Sequence, residues 1–388
     1  MARIVLPPSN RPTHLRNQQP TPRHAESRPK WYSRAYLSKI FAKRPAQLLA
    51  MVAFLTVAAI LIYTFAAGQE SFTFDFSTGT KVNTVANSNG SVQLATAATG
   101  ITQIGNLPTA EGSGAIESRQ YPGVYWAQPD GGSSTTAGGI TYPRPAIYAF
   151  KVVNGQIVDI IPGQQYIFFQ LDGASDQQWE DITDDENGNI WVGQIGTQSG
   201  INHYVLKIKE PDPYNATGIV NHLAASQYTQ YNYAFPSGDT LKNAETLLWD
   251  TASDQLYLIC KNTTSQIYRF ATLNTSGTNL LKFIGDLPSG GGNTLSGGDI
   301  SWDRTRFIAG GPRNDWIYQT NPALSGDAFF LDLIKRGPTW TIDHSTTTGI
   351  TEGMAFVNDG SYDVVMVSDP AHPIYYLPAS FYEQFPIN

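Results

Sequence analysis

The chain has 388 residues, room for one large domain and a tail or for two average domains, with 41% hydrophobic residues and a net charge of −7. Its one cysteine, Cys260, excludes an intrachain disulfide framework, so the fold must rest on its own core or on a metal. The charge is uneven: residues 1–44 carry ten Lys or Arg against Glu26 alone, which leaves 15 bases and 31 acids beyond them, a balance of −16 that argues against nucleic acid as a partner of that part.

In chain order, residues 1–46 are basic and rich in Pro, Gln, Ser and Asn. Such a segment buries too little apolar surface to offset its ordering entropy, and it reads as a disordered cytoplasmic tail. Residues 47–67 contain the uncharged run LLAMVAFLTVAAILIYTFAA from Leu48 to Ala67, long enough as a helix to cross a hydrocarbon core of about 30 Å. A signal peptide usually has an apolar region of only about 7–15 residues, although Thr64 and Ala66 keep cleavage open as the alternative. The bases precede the span and Gly68-Gln69-Glu70 follows it, which predicts a single-pass anchor with its N-terminus in the cytoplasm and the rest of the chain extracytoplasmic. The basic tail also suits anionic inner-leaflet lipids. Residues 68–100 read as a linker with short strands, SFTFDF and SVQLATA.

Residues 101–388 show no sustained helical period. Short β-branched and aromatic runs (GVYW, AIYAFKVV, YIFFQL, NIWVG, QLYLI, DVVMV, PIYYL) alternate with Gly, Asn, Asp and Ser clusters, the pattern of a many-stranded antiparallel protein. A repeat orders them. AEGSGAIESRQYPGVYW, WEDITDDENGNIWVG, AETLLWDTASDQLYLI, GDISWDRTRFIAG and TEGMAFVNDGSYDVVMV each lead with an acid, run through an apolar stretch, turn, and re-enter a strand. The leading acids Glu111, Glu180, Glu245, Asp299 and Glu352 are 69, 65, 54 and 53 residues apart, which fits blades of four strands with long loops and predicts an all-β propeller. ITQIGNLPTAEG at Ile101 parallels LKFIGDLPSGGG at Leu281. The last repeat has room for about three strands, so Ile101–Leu107 is expected to supply its fourth and close the ring, removing the exposed sheet edges. Five repeats indicate five blades, or six if residues 70–100 form a divergent one.

The succession SRQYPGVYW (Ser118–Trp126), WEDI (Trp179–Ile182), WVGQIG (Trp191–Gly196), KEPDP (Lys209–Pro213), FPSGDTLKNAETLLWD (Phe235–Asp250), LYLICK (Leu256–Lys261) and TEGMAF (Thr351–Phe356) resembles a bacterial family of exported β-propeller proteins, over residues 105–375. Where that family usually reads HNDSG and DIGDN, this chain has AQPDGG and QIGTQ, so no metal or catalytic role is carried over to those positions. In broad terms the resemblance implies a fold shared with calcium-dependent propeller phytases, an analogy that does not carry function.

On equivalent inner-strand positions, Glu111, Glu180, Glu245, Asp299 and Glu352 would ring a central channel. Like charges so close either raise one another's pKa or gather a cation. Calcium, with six to eight oxygen ligands and loose geometry, suits such a set; Arg119 or channel water would offset it as well. The residues leave three uses open: staples to backbone N–H groups, a calcium site, or a catalytic set. Asp184-Asp185-Glu186-Asn187-Gly188-Asn189 fails the EF-hand spacing and reads as a hairpin turn. His203, His222, His344 and His372 form no metal or nucleophile motif, and Cys260 on LYLIC reads as a buried, inert thiol. Trp126, Trp179, Trp191, Trp249, Trp302, Trp316 and Trp340 read mainly as packing between blades, some joining the loops 127–141 and 215–233 around the channel mouth. Function is expected to be that of a binding or scaffold module for a glycan, peptide or protein partner. The alternative is a calcium-dependent phosphoester or ester hydrolase.

Overall fold

The computed structural model describes residues 71–75, 80–86, 92–93 and, from Gly100 to Gln384, all but the short stretches 110–111, 131–134, 138–139, 143, 198–201, 240–241, 262–263, 289–294, 313, 344–349 and 370–372. The expected tail and membrane span lie outside the described residues, among which no helix is long and apolar enough to cross a membrane. The chain divides into two compact units, 1–83 and 84–388.

Ser71–Asp75 (β1), Thr80–Ala86 (β2) and Val92–Gln93 (β3) form a three-stranded sheet of their own. Thr102–Asn106 (β4) follows. Gly112–Glu117 (β5), Val124–Pro129 (β6), the hairpin Thr135–Ala137 (β7) and Ile140–Tyr142 (β8), Ala146–Val153 (β9), Gln156–Val158 (β10) and Tyr166–Leu171 (β11) come next. In the first large sheet the order is β5-β6-β9-β11, with β10 folded back on β9. Trp179–Asp184 (β12), Asn189–Gln194 (β13) and Tyr204–Lys209 (β14) begin the second sheet. The chain then leaves to lay Val220–Leu223 (β15) in parallel on β11, and returns as Tyr228–Ala234 (β16) to pair with β14. Residues 215–233 thus cover the outer edges of two sheets, which corrects their expected place at the channel mouth.

The third sheet is Ala244–Asp250 (β17), Gln255–Cys260 (β18), Gln266–Phe270 (β19) and Asn279–Asp286 (β20). Its outer strand meets β16 in parallel at Tyr233 and Ala234, merging these two sheets into one of eight strands. The fourth is Gly297–Ile300 (β21), Arg306–Gly310 (β22), Asn314–Gln319 (β23) and Trp340–Asp343 (β24). The fifth is Ile350–Phe356 (β25), Val364–Asp369 (β26) and Pro373–Leu377 (β27), completed by β4, whose Thr102, Gln103, Gly105 and Asn106 pair with Tyr376, Tyr375, Ile374 and Pro373. The strand ahead of the first repeat and the strands of the last therefore share a sheet, as the parallel between the Ile101 and Leu281 segments implied.

The first strands pack on one another in a closed cycle: β5 on β12, β12 on β17, β17 on β21, β21 on β25, and β25 back on β5. Five apolar clusters fill the spaces between neighbouring sheets. Trp126 and Trp179 sit in one, Trp191 and Trp249 in the next, then Tyr257 with Trp316, Trp340 with Phe356, and finally Tyr125 with Val365. The arrangement is propeller-like. It also explains the unbroken apolar runs: a strand such as β18, QLYLIC, is buried on both faces, so it lacks the alternation of a half-exposed strand. Near the axis the inner strands approach so closely that glycine is required; a β-carbon on Gly297 would lie 2.0 Å from the carbonyl oxygen of Glu352.

One helix departs from the expectation of no helical period. Asp327–Arg336 (α1), DAFFLDLIKR, buries Phe329, Phe330 and Leu333 against the third and fourth sheets. With 10 residues it is too short to show a repeating period. Its N-terminus is tied down by Asp327, which pairs with Lys282 at 2.8 Å and Arg269 at 2.9 Å.

Candidate functional site

Glu180, Glu245 and Glu352 each lie at a break in strand register. Pairing skips from Trp179 to Asp181 in β12, from Ala244 to Thr246 in β17, and from Thr351 to Gly353 in β25. Such a bulge leaves one residue unpaired and re-aims its side chain. All three line one cavity of ≈ 320 Å³ with Gly112, Ser113, Asp130, Gln178, Lys261 and Asp369. Ser113 Oγ donates to the carbonyl of Glu180 at 2.6 Å and holds the first two sheets together at its floor.

Lys261 follows directly after β18. Its Nζ pairs with Glu245 at 3.1 Å and lies 4.0 Å from Glu352, while Asn243 Nδ2 donates to the other oxygen of Glu245. Burial pushes the Glu352 carboxyl up to about 8, opposed by Lys261 and reinforced by Glu245, Asp369 and Asp130. Glu180 is raised well above the carboxylate range, first by burial and then by the charges of Glu245, Asp130 and Glu352. Glu245 is raised by burial against the pull of Lys261. Burial acts to lower Lys261, but Glu245 and Glu352 outweigh it and the ammonium is held above its ordinary value. The site thus holds carboxyl groups raised by burial and by one another, with one ammonium among them.

Asp299 is not part of this cluster, which corrects its expected place in the ring. The fourth inner strand has no bulge, and Asp299 pairs with Ile308 in unbroken register. Its oxygens accept the N–H of Ile300 at 2.7 Å and of Phe356 at 2.8 Å, stapling the fourth sheet to the fifth; burial nonetheless pushes its carboxyl up to about 7. Asp181, which the sequence reading passed over beside Glu180, works alike: it accepts from Ile182 at 2.9 Å and from Leu247 at 2.7 Å, joining the second sheet to the third. Glu111 lies outside the described residues.

Arg119 is not part of this cluster either, although its charge acts to lower Asp299. It pairs with Asp184 at 3.0 Å and stacks over Trp302 at 5.0 Å. Asp184 ends the strand on which Glu180 stands near the start, four residues or about 13 Å away at strand rise. The cation beside these acids is Lys261, the last residue of the LYLICK run, which a repeat marked by acids does not single out. The pairing of Ala244 with Cys260 sets Lys261 beside Glu245, a relation visible only once the hairpin register is known.

Calcium finds no ready-made cage in these residues. The Lys261 ammonium already lies between Glu245 and Glu352, and among the described residues no group of three or more His, Cys, Asp or Glu is spaced to hold a metal ion. Asp185 serves the turn expected at 184–189, its carboxylate accepting from Asn187 N at 2.8 Å, Asn189 N at 3.0 Å and Trp191 Nε1 at 3.0 Å. Cys260 is buried, its thiol pushed up to about 12 by burial. Trp126, Trp179, Trp191, Trp249, Trp316 and Trp340 are buried between sheets and offer no face to the channel mouth. A slightly larger groove of ≈ 380 Å³ opens between the second and third sheets near Asp185 and Asp254, but its rings Trp191 and Trp249 stack on each other at 5.0 Å. The channel cavity, where charged groups converge, is the stronger candidate.

No family model matches the chain, and no curated protein sequence does. Among solved structures, a gluconolactonase from Xanthomonas campestris aligns over 80% of this chain and 85% of its own, at 11% identity and a TM-score of 0.39. Another protein described as a gluconolactonase aligns over 80% and 87%, at 11% identity and a TM-score of 0.37. Raptor from Chaetomium thermophilum aligns over 69% of this chain and 20% of its own, at 9% identity and a TM-score of 0.34. At such identities and TM-scores the architecture is read from the sheets of this chain and not from the matches.

Proposed function

We propose that residues 101–388 form a five-bladed β-propeller that works as a ligand-binding module, displayed outside the cell on the single helix 47–67. The ligand, a glycan, a peptide or a segment of a protein partner, sits at the channel mouth on Glu180, Glu245, Glu352 and Lys261. The observation that carries this reading is the convergence of three strand bulges on one cavity, which three largely buried glutamates share with one lysine. Structural staples need no such cavity: Asp181 and Asp299 bond neighbouring backbone without one.

The anchor rests on the apolar run and its basic flank, and the acidic balance of the outer part opposes a nucleic-acid partner. Hydrolysis by calcium and channel carboxylates is less well supported, because Lys261 takes the position of the cation. The test is to display the full-length chain and its Glu245→Gln/Lys261→Met double variant on glycan and peptide arrays. Ligands held by the wild type and lost by the variant support the site; ligands held equally by both would place binding elsewhere.

A further inference from the structure

We propose that the channel-mouth cavity recognises its ligand through a cationic nitrogen, a primary ammonium or guanidinium group, received by the carboxylate of Glu180. The inference rests on the reading of the channel mouth as the ligand site and names the chemistry that site selects. Glu180 is 4% exposed and lines the cavity. Among the described residues, no hydrogen bond or ion pair within 4.0 Å reaches its carboxyl oxygens, and Lys261 acts on it only at longer range. Glu245 and Glu352, by contrast, share Lys261. The carboxyl oxygens of Glu180 are not among the orphaned buried atoms of the interior and open on the cavity, where a ligand can reach them.

The surroundings hold that carboxyl in place. It packs against the backbone of Gly196, where a β-carbon would lie 1.8 Å from Oε1, so a side chain at 196 would push it out of its position. Three glutamates of the lining, Glu180, Glu245 and Glu352, face the ammonium of Lys261. An anionic ligand would meet the charges of Glu245 and Glu352 that already act on Glu180, and those same charges favour a cation there. A cation meets Glu180 through charge-assisted hydrogen bonds, as Lys261 already meets Glu245. At ≈ 320 Å³ the cavity lies near the small end of ligand sites, which run from about 300 to 1,000 Å³, and so takes a small amine or one side chain. Because burial and its neighbours raise the Glu180 carboxyl, the form that receives a cation gains with pH, and affinity should rise with it.

The full-length chain in mild detergent is titrated calorimetrically, and its melting followed, with 1,4-diaminobutane, Nα-acetyl-lysine N-methylamide, 1,4-butanediol and calcium chloride. At least one amine is expected to bind and raise the melting temperature by mass action, with proton release seen as a buffer-dependent heat, while butanediol does neither. Binding of the diamine alone points to a free amine as ligand; binding of the lysine amide points to a basic side chain of a partner. Glu180→Gln should weaken binding about tenfold to a hundredfold, the loss of one charge-assisted hydrogen bond. Gly196→Ala, which keeps the charge and moves the carboxyl, should weaken it as well. Butanediol binding as well as the diamine, or calcium binding in place of both amines, overturns the inference and leaves the channel-mouth reading standing. Silence of every probe, together with array ligands that ignore the Glu245→Gln/Lys261→Met change, overturns both.

Discussion

The carboxylate of Glu117 accepts the backbone N–H of Asn358 at 2.6 Å across 241 residues of chain, while its other oxygen accepts from Gly123 at 2.8 Å. One side chain thereby fixes the turn after β5 and ties the first sheet to the fifth. Glu117→Gln would turn an amide N–H2 toward one of those donors. The expected loss is about 1–3 kcal/mol, the cost of a buried unsatisfied group. Urea unfolding measures it, and an unchanged midpoint would count against the tie.

β4 closes the fifth sheet from the start of the domain, far in sequence from its partner β27. A chain lacking residues 1–107 should expose the edge of Pro373–Leu377 and associate through it. Light scattering reads the outcome; a monomer with an unchanged melting temperature would contradict the closure.

Glu352 titrates near 8 in the folded chain against 4.5 for an ordinary glutamate, so the folded state holds a proton that the unfolded chain releases. Its contribution is fully present below about 4.5 and is lost as pH rises through about 8. Stability should therefore fall between pH 5 and pH 8, on the order of 1–3 kcal/mol from this group. In Glu352→Gln the slope should flatten. A melting temperature that rises over that window in the wild type would be the wrong sign.

Lys261 gives the same site a second signature. Lys261→Met leaves Glu245 and Glu352 without their shared cation, at a cost of up to about 3 kcal/mol where both would otherwise be ionised. At pH 5 the two glutamates can stay protonated and the cost should shrink. Denaturant midpoints at pH 5 and pH 8 compare the two; an equal loss at both would mean that Lys261 contributes packing and not charge.

Away from the cavity, Arg304 reaches the buried Asp250 at 2.6 Å and donates to the carbonyls of Pro322 at 2.9 Å and Leu324 at 2.8 Å. Arg304→Met strands a carboxylate in the interior, at about 3–5 kcal/mol. The double change Asp250→Asn with Arg304→Met should recover part of that loss, as read by thermal unfolding.

Glu180, Glu245 and Glu352 show where a repeat could be trusted and Asp299 where it could not. Three acids recur just before the apolar stretch of an inner strand, and the bulge each occupies brings them to one place. Asp299 matches them in type and spacing but stands in unbroken register, and a shift of one residue turns a strand side chain to another face. Composition could not reveal that shift, because it depends on which residue of β22 lies opposite.

The sequence by itself determined that this is a many-stranded β protein, that its repeats build successive sheets, and that the strand just ahead of the first repeat returns to the last sheet. Apolar runs bounded by turn residues carry that information locally, since burial on two faces and tight turns each demand particular residue types. Only the tertiary structure decided that Lys261 is the counter-ion of Glu245 and Glu352, that Arg119 pairs with Asp184 instead, and that 215–233 wraps the outside. Charge pairing acts through space at a few ångströms, between residues whose distance along the chain says nothing until strand register and ring closure bring them together.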